Sequence, residues 1–347
     1  MKLARLLGID LPIVQAPMAG VQASRLAIAV SQAGGLGSLP CAMLSGAAIG
    51  DEIRSIRNAT DRPFNLNFFC HAVPAFDAAR DARWRESLAA AHAELGIDTG
   101  AIGTGAGRNP FDSAGADIVE SLRPPVVSFH FGLPEPGLLG RVKASGAIVM
   151  ASATTVAEAR WLEANGADVV IAQGLEAGGH RGHFLSMDLT EQLGLFALLP
   201  QVVAAVKIPV IAAGGIADAA GVRAALALGA AGIQAGTAFL RTPEADTSEL
   251  HRAALASDAA RHTALTNLFT GRPARGIVNR YLREHGPMSE LAPEFPLASA
   301  ASAPLRAAAE KRGSPDFSPL WSGQNPGGAR PVPAADIVRG LAAGIVS

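Results

Sequence analysis

A (β/α)8 TIM barrel carrying an inserted helical and proline-rich lid domain is the architecture this sequence predicts, on three observations. Eight short stretches are predominantly apolar, helix signals separate most of them, and one strand-helix unit echoes another: Leu162 to Val170 resembles Ala225 to Ile233. Strands buried on both faces read as continuous apolar runs, and repeated strand-helix units close into a barrel.

The strands in order are Ile13 to Pro17, Gly35 to Leu39, Phe64 to Phe69, Val126 to Gly132, Ala147 to Ala153, Val169 to Gly174, Val210 to Gly215 and Gly232 to Phe239. Between them, Ser24 to Ala33 opens on a serine read as its N-cap. Thr155 and Glu158 stand at capping-box spacing before a helix ending near Gly166, and Asp218 to Leu228 stops at Gly229. Residues 71–123 are too long for one crossover and hold a polar, helix-like run from Ala75 to Leu95. Ten of the 23 prolines fall after residue 270, so residues 240–334 are expected to cap the barrel mouth. Ala334 to Val346 reads as an amphipathic helix returning to the outer ring. The expected division is therefore a barrel of residues 1–239 and 335–347 with a lid of 240–334.

Composition sets the partner class. With 347 residues, 49% of them hydrophobic and 17% charged, the chain can bury a large enclosed core. A formal charge of −1 gives no electrostatic reason to expect nucleic acid or an anionic membrane, so a small molecule is expected, with a homodimer left open. Cys41 and Cys70 form no CxxC pair, the start Met1 to Arg5 lacks a long apolar segment, and Lys207 and Pro209 interrupt the apolar runs. A reduced, cytoplasmic setting is expected. No metal is expected either: His180 and His183 lie three apart, but no carboxylate or thiolate stands at zinc spacing beside them.

The chemistry concentrates at strand ends. Gln173 to His183 follows a buried strand and sets histidines on a glycine hinge, where the backbone can approach a flat ligand and an imidazole can handle a proton. Loops after the last two barrel strands commonly cradle phosphate on free N–H groups, which assigns that role to Gly214, Gly215, Gly236 and Thr237.

The segments Gln15 to Gly20, Asn65 to Phe69, Ser128 to Gly132, Gln173 to Gly182, Ala212 to Ile216, Gly236 to Phe239 and Phe269 to Gly276 together resemble the FMN-dependent nitronate monooxygenases. The likeness runs from about residue 10 to Gln324; the flavin-dependent enoyl reductases are similar, but less so. The resemblance implies FMN with its ring against Ala16, Pro17 and Met18, side-chain hydrogen bonds from Asn67 and Gln173, and the phosphate at Gly178, Gly179, Gly214, Gly215, Gly236 and Thr237, beside Gln234 and Ala235. It implies His180 as the catalytic histidine and an alkyl nitronate, such as propionate 3-nitronate, oxidised with O2 to a carbonyl compound and nitrite. His130 and His183 are the candidate substrate contacts, with packing as the alternative for His130 and fixing the loop through a carbonyl as the alternative for His183. The relatives' pocket tyrosines are missing, since Tyr281 is the single tyrosine, so Phe68, Phe131, Phe295 and Trp321 are the candidate wall over the ring. Two other activities remain open at this point, an NAD(P)H-dependent enoyl or quinone reductase and a flavin-binding protein without catalysis.

Overall fold

The computed structural model describes residues 2–103 and 108–345; Met1, residues 104–107 of the long connection, and the Val346 end of the predicted last helix lie outside the described residues. The strands in chain order are β1 (Ile13–Gln15), β2 (Gly37–Pro40), β3 (Phe64–Phe69), β4 (Val126–His130), β5 (Ile148–Ala153), β6 (Val169–Gln173), β7 (Gly179–His180), β8 (Val210–Ala213), β9 (Gly232–Ala235), β10 (Thr263–Thr266) and β11 (Ala274–Ile277). Eight of them form one parallel sheet in the order β1-β9-β8-β6-β5-β4-β3-β2, and a parallel bridge from Val14 to Leu36 joins its two edges. Leu36 N donates to Ile13 O at 2.8 Å and Gln15 N to Leu36 O at 2.9 Å, so the seam is hydrogen-bonded and the barrel is closed.

All eight expected barrel strands are present, but several stop short of the predicted end. β8 ends at Ala213 because Gly214 and Gly215 turn to φ values of 121° and 69°, which a strand cannot hold. β9 ends at Ala235, and Thr237–Phe239, expected as strand, forms a 3-10 turn. Helix Val156–Ala164 carries the predicted capping box of Thr155 and Glu158. Helix Ser24–Gln32 does not use Ser24 as its cap: Ala23 occupies that position, and the Ser24 amide donates to the Glu52 carboxylate at 2.8 Å.

The main core lies inside the barrel and between its strands and helices, from Ile13 and Leu39 round to Ile233 and Phe239. A second apolar cluster lies apart from it. The polar run expected over Ala75 to Leu95 forms two helices, Ala78–Ser87 and Ala89–Leu95, whose Trp84, Leu88 and Ala91 pack with Leu268, Tyr281, Leu305 and Phe317. The indole N–H of Trp84 donates to Ala298 O at 3.3 Å. The connection after β3 thus shares a core with residues 268–317, each large side chain contributing about 1.5–3 kcal/mol by burial. In the second sheet β11 is central: it pairs antiparallel with β10 on one side and with β7 on the other, in the register Ala274 to His180 and Arg275 to Gly179.

Candidate active site

Parallel barrels place the C-terminal ends of all their strands on one face, and one cavity opens there. Ala16, Pro17, Met18, Asn67, His130, Gln173, Gly178, Gly179, His180, Gly214, Gly215, Gln234, Ala235, Gly236 and Thr237 all line it. His183 does not; it is buried behind the loop at 1% exposure, with neither ring nitrogen hydrogen-bonded.

The floor is set by a polar ladder across β1 to β4. Ser38 Oγ donates to Gln15 O at 2.6 Å, Asn65 Nδ2 to Ser38 Oγ at 3.0 Å and to Ser128 Oγ at 2.8 Å, and Asn67 Nδ2 to Ser128 Oγ at 3.0 Å. These bonds hold the Asn67 amide at the cavity wall. Gln234 Oε1, also at the cavity, is buried without a partner among the described residues. That oxygen requires a donor from whatever fills the cavity, because an unmet buried acceptor costs about 1–3 kcal/mol.

At the far end the amides of Gly214, Gly215, Gly236 and Thr237 donate to no acceptor in the chain among the described residues. A Cβ on Gly178 would stand 2.6 Å from Gly323 N, so that position has no room for a side chain, and one on Gly236 would stand a tight 3.3 Å from the Ala16 Cβ. Residues from the chain's last third close over this end. Gly323 N donates to Thr237 Oγ1 at 2.9 Å and Asn325 Nδ2 to Gly215 O at 2.9 Å.

The histidine loop is fixed on every side. Gln173 Nε2 and His130 Nε2 both donate to the His180 carbonyl, at 3.0 and 3.2 Å, and Gln173 Oε1 accepts from Gly182 N at 2.8 Å. A carbonyl only accepts, so His130 carries its proton on Nε2 and takes the Ser152 hydroxyl on Nδ1 at 3.0 Å. Buried Arg181 braces the loop from behind through Gly174 O at 2.6 Å and Gln173 O at 2.8 Å. The Gln173 side chain, expected to serve the ring, is therefore largely engaged in holding the loop.

His180 itself sits among aromatic rings, with Phe295 at 5.4 Å, Trp321 at 5.6 Å, Phe131 at 6.1 Å and Phe69 at 6.3 Å between centroids. Its Nε2 lies 2.9 Å from Thr270 Oγ1. Burial, followed by the nearby Arg108 charge, holds its pKa well below the usual histidine range, and burial takes His130 down to about 3. Both rings are neutral near pH 7.

Phe68 does not reach the cavity: it packs into the core against Phe111 at 4.9 Å, and Phe69 lines the cavity in its place. Side chains alternate along a strand, so placing Asn67 inward already implied Phe69 and excluded Phe68. Arg108, Ser152, His251 and Asn325 also line the cavity, and no local sequence pattern marked them, whereas Ser128 stands two before His130 on the same strand face.

An eightfold parallel barrel that presents free amides at one end of a cavity and a buried neutral histidine at the other has the layout of an enzyme acting through a phosphorylated cofactor. Residues 1–344 match the nitronate monooxygenase family, and the chain belongs to it. It is 42% identical over 349 residues to a nitronate monooxygenase of Pseudomonas aeruginosa, covering 98% of this chain and 97% of that one. The structure is similar to that of a nitroalkane oxidase from Streptomyces ansochromogenes, with a TM-score of 0.90, 42% identity, and 99% and 97% of the two chains covered. FabK from Thermotoga maritima is less similar, with a TM-score of 0.74 and 27% identity over 98% of this chain and 94% of that one. The protein is an oxidoreductase of a flavin-dependent family. Among the described residues no helix is long and apolar enough to cross a membrane.

Proposed function

We propose that the chain oxidises alkyl nitronates, such as propionate 3-nitronate, with O2 to a carbonyl compound and nitrite, using FMN. The observation that carries this reading is the pairing of four free amides at glycine-built strand ends with a neutral histidine in one cavity. A single terminal phosphate suits those amides, at Gly214, Gly215, Gly236 and Thr237, with Gly178 and Gly179 beside them. The unmet oxygen of Gln234 and the Asn67 amide suit a ring bearing an imide N–H, and Ala16, Pro17, Met18 and Ala235 give it a mixed backbone and apolar floor, with the amide of Gln173 at its edge. FMN, when bound, supplies the redox centre between the nitronate and oxygen.

His180 orients the substrate. Thr270 Oγ1 lies 2.9 Å from His180 Nε2 and donates to Arg272 O at 3.5 Å, so the ring is held in place through residue 270. A low pKa makes the ring a poor base, which suits a substrate that arrives already deprotonated. His130 acts through the loop, by holding the His180 carbonyl. Residues 240–334 serve as a lid that excludes water, with Trp321 as the ring that reaches the cavity. Cys41 and Cys70 are unpaired, in keeping with a reducing cytoplasm.

Anaerobic mixing of the purified yellow protein with propionate 3-nitronate, and separately with NADH, tests this reading. The flavin spectrum should change with nitronate and hold with NADH, and acid should release FMN. Bleaching by NADH with no response to nitronate would favour a reductase, and no response to either would favour a binding protein.

A further inference from the structure

The cavity holds one arginine, Arg108, whose role the preceding reading leaves unassigned. Its guanidinium lies 5.8 Å from the centroid of Phe295, whose ring is 5.4 Å from that of His180. The cation is thus delivered to the histidine end, away from the free amides of the glycine cradle. Among the described residues it makes no ion pair; the charged group acting on it most is another cation, Arg306. Glu176 is the carboxylate lining the cavity, and both its oxygens accept from Leu195 N at 2.9 Å. His130, His180 and His251 are all held neutral by burial. Arg272, buried nearby over Phe131 at 4.0 Å, adds positive potential at His180. Arg108 therefore carries its positive charge without a matching anion among the described residues, and a partly desolvated guanidinium without a counter-ion is costly unless an anion joins it.

We propose that Arg108 is the specificity-determining residue that binds the anionic oxygens of the substrate, so that the site discriminates deprotonated nitronate from neutral nitroalkane through this side chain. The proposal rests on the nitronate reading above. A guanidinium presents its donors as a planar fork, which matches the two oxygens of a nitronate as it matches a carboxylate. The guanidinium lies over the Phe295 ring, 5.8 Å from its centroid, which keeps it at the histidine end of the pocket.

The test uses FMN-loaded wild type, R108M and R108K, with two probes: steady-state oxidation of propyl-1-nitronate, and equilibrium titration of nitrate followed by the flavin difference spectrum. For R108M the expected result is unchanged flavin content, KM raised about tenfold to a hundredfold with kcat within about threefold, and a nitrate Kd raised by a similar factor. R108K, which keeps the charge without the fork, should fall between R108M and wild type. Oxidation of neutral 1-nitropropane, where any is seen, should be indifferent to the substitution. If R108M and R108K bind nitrate and nitronate as tightly as wild type, or if kcat falls while KM holds, the proposal is wrong. Should R108M fail to fold, R108K with wild-type nitrate affinity and KM would overturn it equally. Failure of the nitronate reading is separately visible, because wild type would then ignore nitronate while the nitrate titrations still report on Arg108.

Discussion

Acid should destabilise this protein well above the range in which carboxylates titrate, because five histidines are buried as neutral rings. Burial takes His71 and His251 down to about 4, His130 and His183 to about 3, and His180 well below the ordinary value. Between those values and the unfolded value near 6.5 the unfolded chain binds a proton that the folded chain refuses, so stability is present above about pH 6.5 and is lost as pH falls. From pH 7 to pH 5.5 each group costs about 1.3 kcal/mol, and the five together about 6 kcal/mol. That is a large share of the roughly 5–15 kcal/mol that holds a typical fold together. With an unfolding entropy of about 2.1 cal/mol/K per residue, the Tm should fall by about 8 °C. The assay is thermal unfolding with saturating FMN at the two pH values and one scan rate. The carboxylates held low by arginine partners, Glu94 and Glu120, titrate below this window and leave it unobscured. His183→Gln, which removes a buried ring with no hydrogen bond, should shrink the pH effect by about a fifth. A Tm change under about 2 °C, or one untouched by that substitution, would show that the rings accept protons inside the fold and would refute the reasoning.

His180→Asn should leave the protein yellow while nitronate turnover, read by oxygen consumption, falls at least about tenfold, because the ring meets substrate and the glycines hold the phosphate. Full turnover in that variant would move the orienting role elsewhere on the cavity wall. Gly215→Val should yield colourless protein: the residue sits at φ 69°, and an added Cβ would already lie 3.3 Å from the Glu176 Cβ. Normal flavin content in that variant would show that the phosphate does not rest on this turn.

The barrel was legible because a strand buried on both faces is mostly apolar, with its few polar positions bonded to one another, and that bias leaves a mark in eight places. Capping chemistry was legible where donor and acceptor are three residues apart, as at Thr155 and Glu158, and misleading at Ser24, where a distant carboxylate takes the amide. The glycine end of the cavity was legible because glycines and amides cluster at strand ends in order. Much of the rest of its wall was not. Arg108, His251 and Asn325 come from the long connection and the last third of the chain, and nothing local to them encodes the cavity they share. The second sheet was equally hidden, since two residues of β7 pair across about ninety positions with β11, too few for any periodicity to register.

That pairing has a consequence for how such a pocket can be remodelled. Arg275 and Ala274 stand opposite Gly179 and His180 in one ladder, so the covering segment and the reacting imidazole share a backbone. A cover paired in this way, which also carries the Thr270 partner of His180, cannot swing as a door without moving the imidazole with it. Engineers who trim or graft residues 263–277 to admit bulkier guests will therefore shift His180 as well, and selection for pocket shape and for histidine position will meet in the same few residues.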